Sequence, residues 1–583
     1  MEQRVHREPP SRHPLFFKFA ANVRMQEMFH LPSIPNLLAA RSLMVFLTLI
    51  FCFIQSVPRP AVAADRPNII LLLADDLGYA EIGVNGCKDI PTPSIDAIAH
   101  NGVRFTDGYA GHCVCAPTRA ALMSGMYQHR FGFEFNPGPE ASANPEFGLP
   151  RNIPSLPEKL QQAGYATGMV GKWHIGFQDG MRPDQRGFDY HYGFLGGAHS
   201  YRPLGPAGNR IVRNGQPTQP EKYLTDQFAD EAVNFIERSK DKPFFLYLAF
   251  NAVHSPMDAN PYESRFPELQ GKRKTFAGML TALDVAIGRV MEKVKELGEE
   301  ENTLVFFYSD NGGPTQLITS RNDPLRGFKG QLFEGGIRVP FVMQWKGRIP
   351  AGQIYHHPVM GFDCHATALA AAGLLTEDAR QSASSVGAPI PRTSKAGAAE
   401  DSSRGLDGVN LLPFITGQLD GSPHENLFWR AGGSYAVRSG HWKLLHLPQQ
   451  GGTMLFDLHE DLSEANNLAA NHPEKLKELQ SAFASWAEGA QPPRWGRQEQ
   501  RNAPQGGNPN PPNPNRRPRQ RMPRAEQSFR NADKDGDGNL TREESPQPER
   551  FQEIDTDGNG WVTWDEFRID VQRRRNAPRS QDP

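Results

Sequence analysis

Asp75-Asp76 and Asp310-Asn311 are the residues in this sequence that most directly invite chemistry. Each pair follows an apolar run, and together they offer only oxygen ligands, the donor set of a hard cation such as Ca²⁺ or Mg²⁺ rather than zinc. Arg119, Lys172 and Lys329 add cations, and His174 and His254 add groups that can move a proton near neutral pH. A metal ringed by Lys and Arg is what a tetrahedral oxyanion needs. Taken singly, each residue has an ordinary role: a strand-terminal Asp caps the next helix, and a lone His is satisfied in a core. Their joint placement raises the chemical reading.

Cys113-Val114-Cys115-Ala116-Pro117-Thr118-Arg119 holds two thiols two positions apart. A disulfide between them would close a strained loop. A metal knuckle needs wider spacing and further ligands. The remaining reading is that one of them is a nucleophile or its precursor, and local spacing does not choose between the three.

The elements that must position these groups alternate. Asn68 to Ala74, Phe244 to Phe250 and Leu304 to Tyr308 are continuous apolar runs, as expected of parallel strands buried on both faces. Met169-Val170-Gly171 is a shorter one that leads to Lys172 and His174. Amphipathic stretches lie between them, such as Ile153 to Ala163 and Gly278 to Glu296. This pattern predicts an α/β fold with a large mixed, mostly parallel sheet flanked by helices. Ligands collect at the carboxyl ends of such strands, so the runs converge on one site. Short strands after Asn426 and a helix from Pro473 to Glu488 predict a smaller C-terminal α/β subdomain.

The chain has 583 residues and a formal net charge of -2, so no global field argues for nucleic acid. Leu43 to Ile54 is apolar, follows Arg41 and precedes Ala61-Val62-Ala63, which reads as a secretory signal removed near Ala64. The run is short for a transmembrane helix, so no stable membrane insertion is expected, with an uncleaved anchor as the alternative. The expected location is exported: periplasmic, extracellular or cell-surface. Export leaves Cys87, Cys113, Cys115 and Cys364, too few for a disulfide scaffold. Arg380 to Arg404 reads as an exposed insertion.

Gln491 to Arg524 is dominated by Pro, Asn, Arg, Gln and Gly and reads as a flexible linker. Beyond it, Asp533, Asp535, Asp537, Asn539 and Glu544 occupy the ligand positions of an EF-hand loop, with Gly538 at the turn. Asp555, Asp557, Asn559, Trp561 and Glu566 repeat the pattern in a second loop, so this small helical tail is expected to bind Ca²⁺. The loops are close together, which requires a short or shared helix between them. The expected division is 1–63 for extension and signal, 64–425 for the main domain, 426–490 for the subdomain, 491–524 for the linker and 525–575 for the EF-hand pair.

The ordered blocks closely resemble the sulfatase family. Cys115-Ala116-Pro117-Thr118-Arg119, continuing to Ser124-Gly125, resembles its Cys-x-Pro-Ser/Thr-Arg signature, with Thr118 where Ser is commoner. Asp75 to Tyr79, Gly164 to Gly176, Tyr308 to Gly313, Lys329-Gly330, Glu334 to Pro340 and Phe456 to Leu468 resemble further family blocks, so the likeness runs from about Pro67 to Glu488. The resemblance implies that Cys115 is oxidised during export to Cα-formylglycine by a maturation enzyme. Only Cys115 has the Pro two residues on and the Arg four residues on, which leaves Cys113 a bystander. It further implies that Asp75, Asp76, Asp310 and Asn311 hold the metal, Ca²⁺ or Mg²⁺, and that the hydrated aldehyde attacks sulfur with Asp310 as base. His254 or Lys329 would protonate the leaving alcohol, and His174 would deprotonate the second hydroxyl so that sulfate is expelled. Arg119 would hold the diol, and Lys172 and Lys329 would clamp the sulfate. Ser200 is expected as a further substrate contact, alongside Lys172, His254 and Lys329.

The leading expectation is therefore a secreted sulfatase acting on sulfated carbohydrate or a small sulfate ester. The alternatives are a formylglycine-dependent hydrolase of phosphate esters or phosphonates, and a calcium-dependent binding protein carrying an inactive sulfatase domain. The complete Lys172, His174, His254 and Lys329 set favours sulfate over phosphate, and the absence of any lost residue argues against an inactive domain.

Overall fold

The computed structural model describes residues 66–136, 144–202, 210–375 and 405–495, and residues 528–571 apart from 530, 534–538, 557–559 and 564–565. The export signal, the Arg380 to Arg404 insertion and the linker beyond residue 495 lie outside the described residues.

A ten-stranded sheet forms the frame. Its order is Gln353–Tyr355, Val103–Phe105, Phe341–Gln344, Thr303–Ser309, Asn68–Ala74, Phe244–Ala249, Ala166–Lys172, Tyr190–Phe194, Val212–Arg213 and Gln216–Pro217. The five strands from Thr303–Ser309 to Tyr190–Phe194 are mutually parallel. Phe341–Gln344, Val212–Arg213 and Gln216–Pro217 run antiparallel to their neighbours, which makes the sheet mixed.

The side-chain period of two divides each central strand between two cores. Ile69, Leu71 and Leu73 face one core, shared with residues of the helices Cys115–Ser124, Leu156–Gln162 and Asp363–Ala371. Ile70, Leu72 and Ala74 face the other, shared with Pro93–His100, Leu224–Arg238 and Gly271–Glu296. Burial on both faces is why these strands read as unbroken apolar runs. The long helix begins at Gly271 rather than Gly278, and Gly278 sits inside it where a Cβ would come within 2.3 Å of Asn260 Oδ1.

The C-terminal subdomain is a four-stranded antiparallel sheet, Asn426–Ala431, Ser434–Ser439, Trp442–Leu447 and Gly452–Asp457, covered by Pro473–Glu488. Its core includes Tyr109, Cys113, Ala121 and Tyr127 from the main domain. One expectation is corrected at its edge. Gln491 to Trp495, placed in the linker, packs on the main domain. Gln491 N donates to His129 O at 2.7 Å, Trp495 Nε1 donates to Phe135 O at 2.7 Å, and the Trp495 ring meets Phe133 edge-on at 4.6 Å. A single large aromatic after Pro492-Pro493 outweighs the polar composition around it.

The tail is a separate compact unit. Its small core contains Phe529, Leu540, Phe551, Ile554, Val562 and Phe567. Asn539–Leu540 pairs with Val562–Thr563, joining the two loops side by side. The helix between them, Phe551–Ile554, is short, as the loop spacing requires.

Candidate active site

Asn68–Ala74 and Thr303–Ser309 run in register, Ala74 opposite Ser309, so Asp75-Asp76 and Asp310-Asn311 leave the sheet side by side. All four are at most 1% exposed. Asp76 takes a left-handed φ of 66°. Ser320 holds it there: its hydroxyl donates to Asp76 O at 2.9 Å and accepts from Gly78 N at 2.8 Å. Asn311 Nδ2 donates to Asp76 Oδ1 at 2.8 Å. Asp76 Oδ2 and Asn311 Oδ1 are buried with no hydrogen-bond partner among the described residues. Buried oxygens are normally satisfied. An all-oxygen set with two such atoms fits a divalent cation, and Asp75, Asp76, Asp310 and Asn311 are the residues that would hold it.

Cys115 is the first residue of the helix Cys115–Ser124, and Asn136 Oδ1 accepts from Ala116 N at 2.9 Å. Its Sγ lies 3.6 Å from Asp75 Oδ1 and accepts from Lys329 Nζ at 3.2 Å. Burial pushes the thiol up to about 12, against the pull of Lys172 and Lys329. Cys113 is also buried, with its thiol 3.8 Å from His112 Nδ1; all four described cysteines are free.

Arg119 lies one helical turn after Cys115 and points the same way. Its Nε donates to Asp310 Oδ2 at 2.9 Å and its Nη1 to Lys172 O at 2.9 Å. Lys172 Nζ reaches Asp75 Oδ2 at 2.6 Å, and Lys329 Nζ reaches Asp76 Oδ1 at 2.6 Å. Burial raises the Asp75 carboxyl, but Lys172, His254, Arg119 and Lys329 hold it well below the usual range. Burial and the neighbouring Asp75 raise Asp310 despite Arg119. His174, also at a left-handed φ of 64°, is driven well below its ordinary value by burial, Lys172 and Arg119, which favours the neutral ring. Gly197 lies over it, where a Cβ would come within 2.8 Å of His174 Nε2. His254 Nε2 stands 3.6 Å from Asp76 Oδ2. Three formal cations, Arg119, Lys172 and Lys329, thus face three carboxylates; a divalent ion would leave the site at a formal +2, suited to an anion.

The structure brings Cys115, Arg119, Lys172, His174, His254, Lys329, Asp75, Asp76, Asp310 and Asn311 into one cluster at the strand ends. The Ser200 hydroxyl donates to Asp258 Oδ2 at 2.9 Å, in the segment whose next residue, Tyr201, bonds the His254 carbonyl. Sequence reasoning missed Ser320, Asn136 and Asp258, which act through backbone groups and carry no motif of their own.

In the tail, Gly560 N donates to Asp555 Oδ2 at 2.9 Å, and Glu544 and Glu566 accept from Thr541 and Thr563 hydroxyls, each at 2.8 Å. The loop-closing carboxylates are thereby folded onto their own loops. Asp533, Asn539 and Trp561 are described at their loop positions, whereas Asp535, Asp537, Asp557 and Asn559 lie outside the described residues.

The sulfatase family model matches residues 67–374, and an EF-hand model matches 525–544 and 549–571. The chain is 33% identical over 411 residues to N-acetylgalactosamine-6-sulfatase of Canis lupus familiaris, covering 65% of this chain and 72% of that protein. It is 31% identical to arylsulfatase A of Homo sapiens over 460 residues, covering 71% and 82%. Among solved structures it resembles Ps i-CgsB in complex with k-i-k-neocarrahexaose, at 35% identity, 74% and 95% coverage and a TM-score of 0.65. Matched family, relatives and the cluster at the strand ends agree: the chain belongs to the sulfatase family and is a sulfuric ester hydrolase.

Proposed function

We propose that this chain is an exported carbohydrate sulfatase whose nucleophile is Cα-formylglycine made from Cys115 by a maturation enzyme. The observation that carries it is the cage around residue 115, where Asp75, Lys329, Arg119 and Lys172 converge on a buried helix start. The hydrated aldehyde supplies one hydroxyl to attack sulfur and a second through which sulfate is expelled. A divalent cation held by Asp75, Asp76, Asp310 and Asn311 would supply Lewis-acid stabilisation of developing negative charge.

The chain's own residues do the rest. Lys172 and Lys329 hold the sulfate oxygens and compensate charge that develops on them. Arg119 orients Asp310 and ties it to the backbone at Lys172. His174, buried and neutral, takes the proton released as the second hydroxyl reacts. His254 turns Nε2 into the site and gives a proton to the departing oxygen.

The carbohydrate reading is supported by the names of relatives, an N-acetylgalactosamine-6-sulfatase and a protein solved with a neocarrahexaose. Export is supported by the Leu43–Ile54 run, and no helix among the described residues is long and apolar enough to cross a membrane. The test is release of inorganic sulfate, read by ion chromatography, from 6-sulfated N-acetylgalactosamine and carrageenan oligosaccharides, with a sugar phosphate as comparator. Sulfate release with little phosphate release supports the reading. Equal turnover of both esters, or no sulfate from any sugar, overturns it.

A further inference from the structure

Tyr201 takes no part in the chemistry above, yet its side chain is fully buried beside it. Its hydroxyl lies 2.6 Å from the carbonyl oxygen of Asn251 and 2.8 Å from that of His254. A hydroxyl carries one hydrogen, so the two carbonyls share it, and phenylalanine there would leave both without that donor. The tyrosine is itself fixed. Its ring stacks on Tyr223 at 5.4 Å, its backbone N donates to Asp258 Oδ2 at 2.7 Å, and its carbonyl accepts from Leu224 N at 2.8 Å. Asn251 Nδ2 adds a donation to His199 O at 3.2 Å. The segment after Tyr190–Phe194 is therefore laced to the segment after Phe244–Ala249, with the Tyr201 hydroxyl at the point where the second segment presents His254.

The His254 ring depends on that backbone. Its Nδ1 lies 2.6 Å from Ser255 O. A carbonyl only accepts, so Nδ1 carries a hydrogen and Nε2 is the nitrogen turned toward Asp76. If the backbone at residues 254–255 shifts, the ring shifts with it.

We propose that Tyr201 is a positioning residue that sets His254 against the departing alcohol of the substrate. The proposal rests on the reading of His254 as the leaving-group acid. When the sulfur–oxygen bond to the sugar breaks, its electron pair stays on the sugar oxygen, and that oxygen takes the Nε2 proton of His254 in its imidazolium form, leaving the neutral ring with its hydrogen on Nδ1 against Ser255 O. A sugar alkoxide needs this proton, whereas 4-nitrophenolate leaves well without it. Misplacing His254 by a fraction of its reach should therefore tell on one class of substrate only.

The experiment compares matured wild type, Tyr201→Phe and His254→Gln on a sulfated sugar and on 4-nitrophenyl sulfate. Tyr201→Phe is expected to lower kcat on the sugar sulfate by roughly 10- to 100-fold, within the range of general-acid effects, and to leave 4-nitrophenyl sulfate within about threefold. His254→Gln is expected to show the same selectivity more strongly. A second readout needs no activity: ¹⁵N-histidine spectra of the unmatured Cys115→Ala protein, with the His254 ring signal assigned by its loss in His254→Gln. That signal should shift or broaden on adding Tyr201→Phe. Equal loss on both substrates with an unmoved ring signal overturns the role of Tyr201 alone, provided His254→Gln is selective. A non-selective His254→Gln overturns both the proposal and the reading beneath it.

Discussion

Lys329 Nζ lies 3.2 Å from Cys115 Sγ and 2.6 Å from Asp76 Oδ1, so one ammonium spans the nucleophile position and the metal-ligand set. The turn that carries it is tied to the signature: Gly330 N donates to Cys113 O at 2.8 Å. Lys329→Ala should lower kcat on sulfate esters by about 10²–10³-fold, the scale of losing one preorganised charge partner. Lys329→Arg should not restore it, because a planar fork cannot replace a point charge between two close neighbours. Steady-state kinetics on one sulfate ester check both.

Removing divalent metal should abolish activity and lower the apparent Tm. Among the described residues, the buried Asp76 Oδ2 and Asn311 Oδ1 have no hydrogen-bond partner to satisfy them when the ion leaves. Binding at 100 times Kd adds about 2.7 kcal/mol, so restored Ca²⁺ or Mg²⁺ should raise Tm in a concentration-dependent way. Calorimetry with chelator, then with each metal, decides which ion is preferred.

A buried charge cluster joins the helix Glu334–Ile337 of the main domain to the C-terminal subdomain. Lys443, fully buried, lies 2.9 Å from Glu334 and 2.8 Å from Glu464. Lys443→Met should destabilise by about 3–5 kcal/mol above about pH 7, because the buried Glu464 carboxylate then loses its cation, whereas Glu334 keeps Arg338 at 3.3 Å. Chemical denaturation measures it.

The same cluster predicts a pH dependence. Burial, opposed by Lys443 and reinforced by Glu334, raises Glu464 from 4.5 to about 7. The folded chain then keeps a proton that the unfolded chain has lost. This contribution to stability is full below 4.5 and is lost as pH rises through about 7. It amounts to no more than about 3 kcal/mol. Glu464→Gln, which mimics the protonated group, should flatten that slope in denaturation series across the window.

The tail should be separable from the chemistry. Glu544→Gln combined with Glu566→Gln should lower calcium bound per chain by the two tail sites while leaving turnover of a small soluble sulfate ester unchanged. Equilibrium dialysis and a chromogenic assay read the two effects.

The central strands were legible because burial on both faces writes itself as an unbroken apolar run, and because Asp75-Asp76 and Asp310-Asn311 end those runs abruptly. Charged site residues were legible through their spacing in ordered blocks. What supports them was not. Ser320 grips Asp76 through a backbone carbonyl, Tyr201 grips His254 the same way, and any chain position can supply such a bond. Glu334 and Glu464 stand in the ordered blocks, but Lys443 looks like an ordinary surface charge until folding brings the three, 109 and 130 positions apart from Glu334, into one buried cluster. Trp495 was hidden in a polar, Pro-rich stretch whose composition described its neighbours rather than itself.

The measurement that tests the central claim most directly is the mass of the tryptic peptide Phe105 to Arg119, from protein produced with a maturation enzyme, with fragmentation to separate Cys113 from Cys115. The account predicts an aldehyde at Cys115 alone, with Cys113 an intact thiol. An unmodified thiol at Cys115, alongside a control protein that the same enzyme converts, would contradict it.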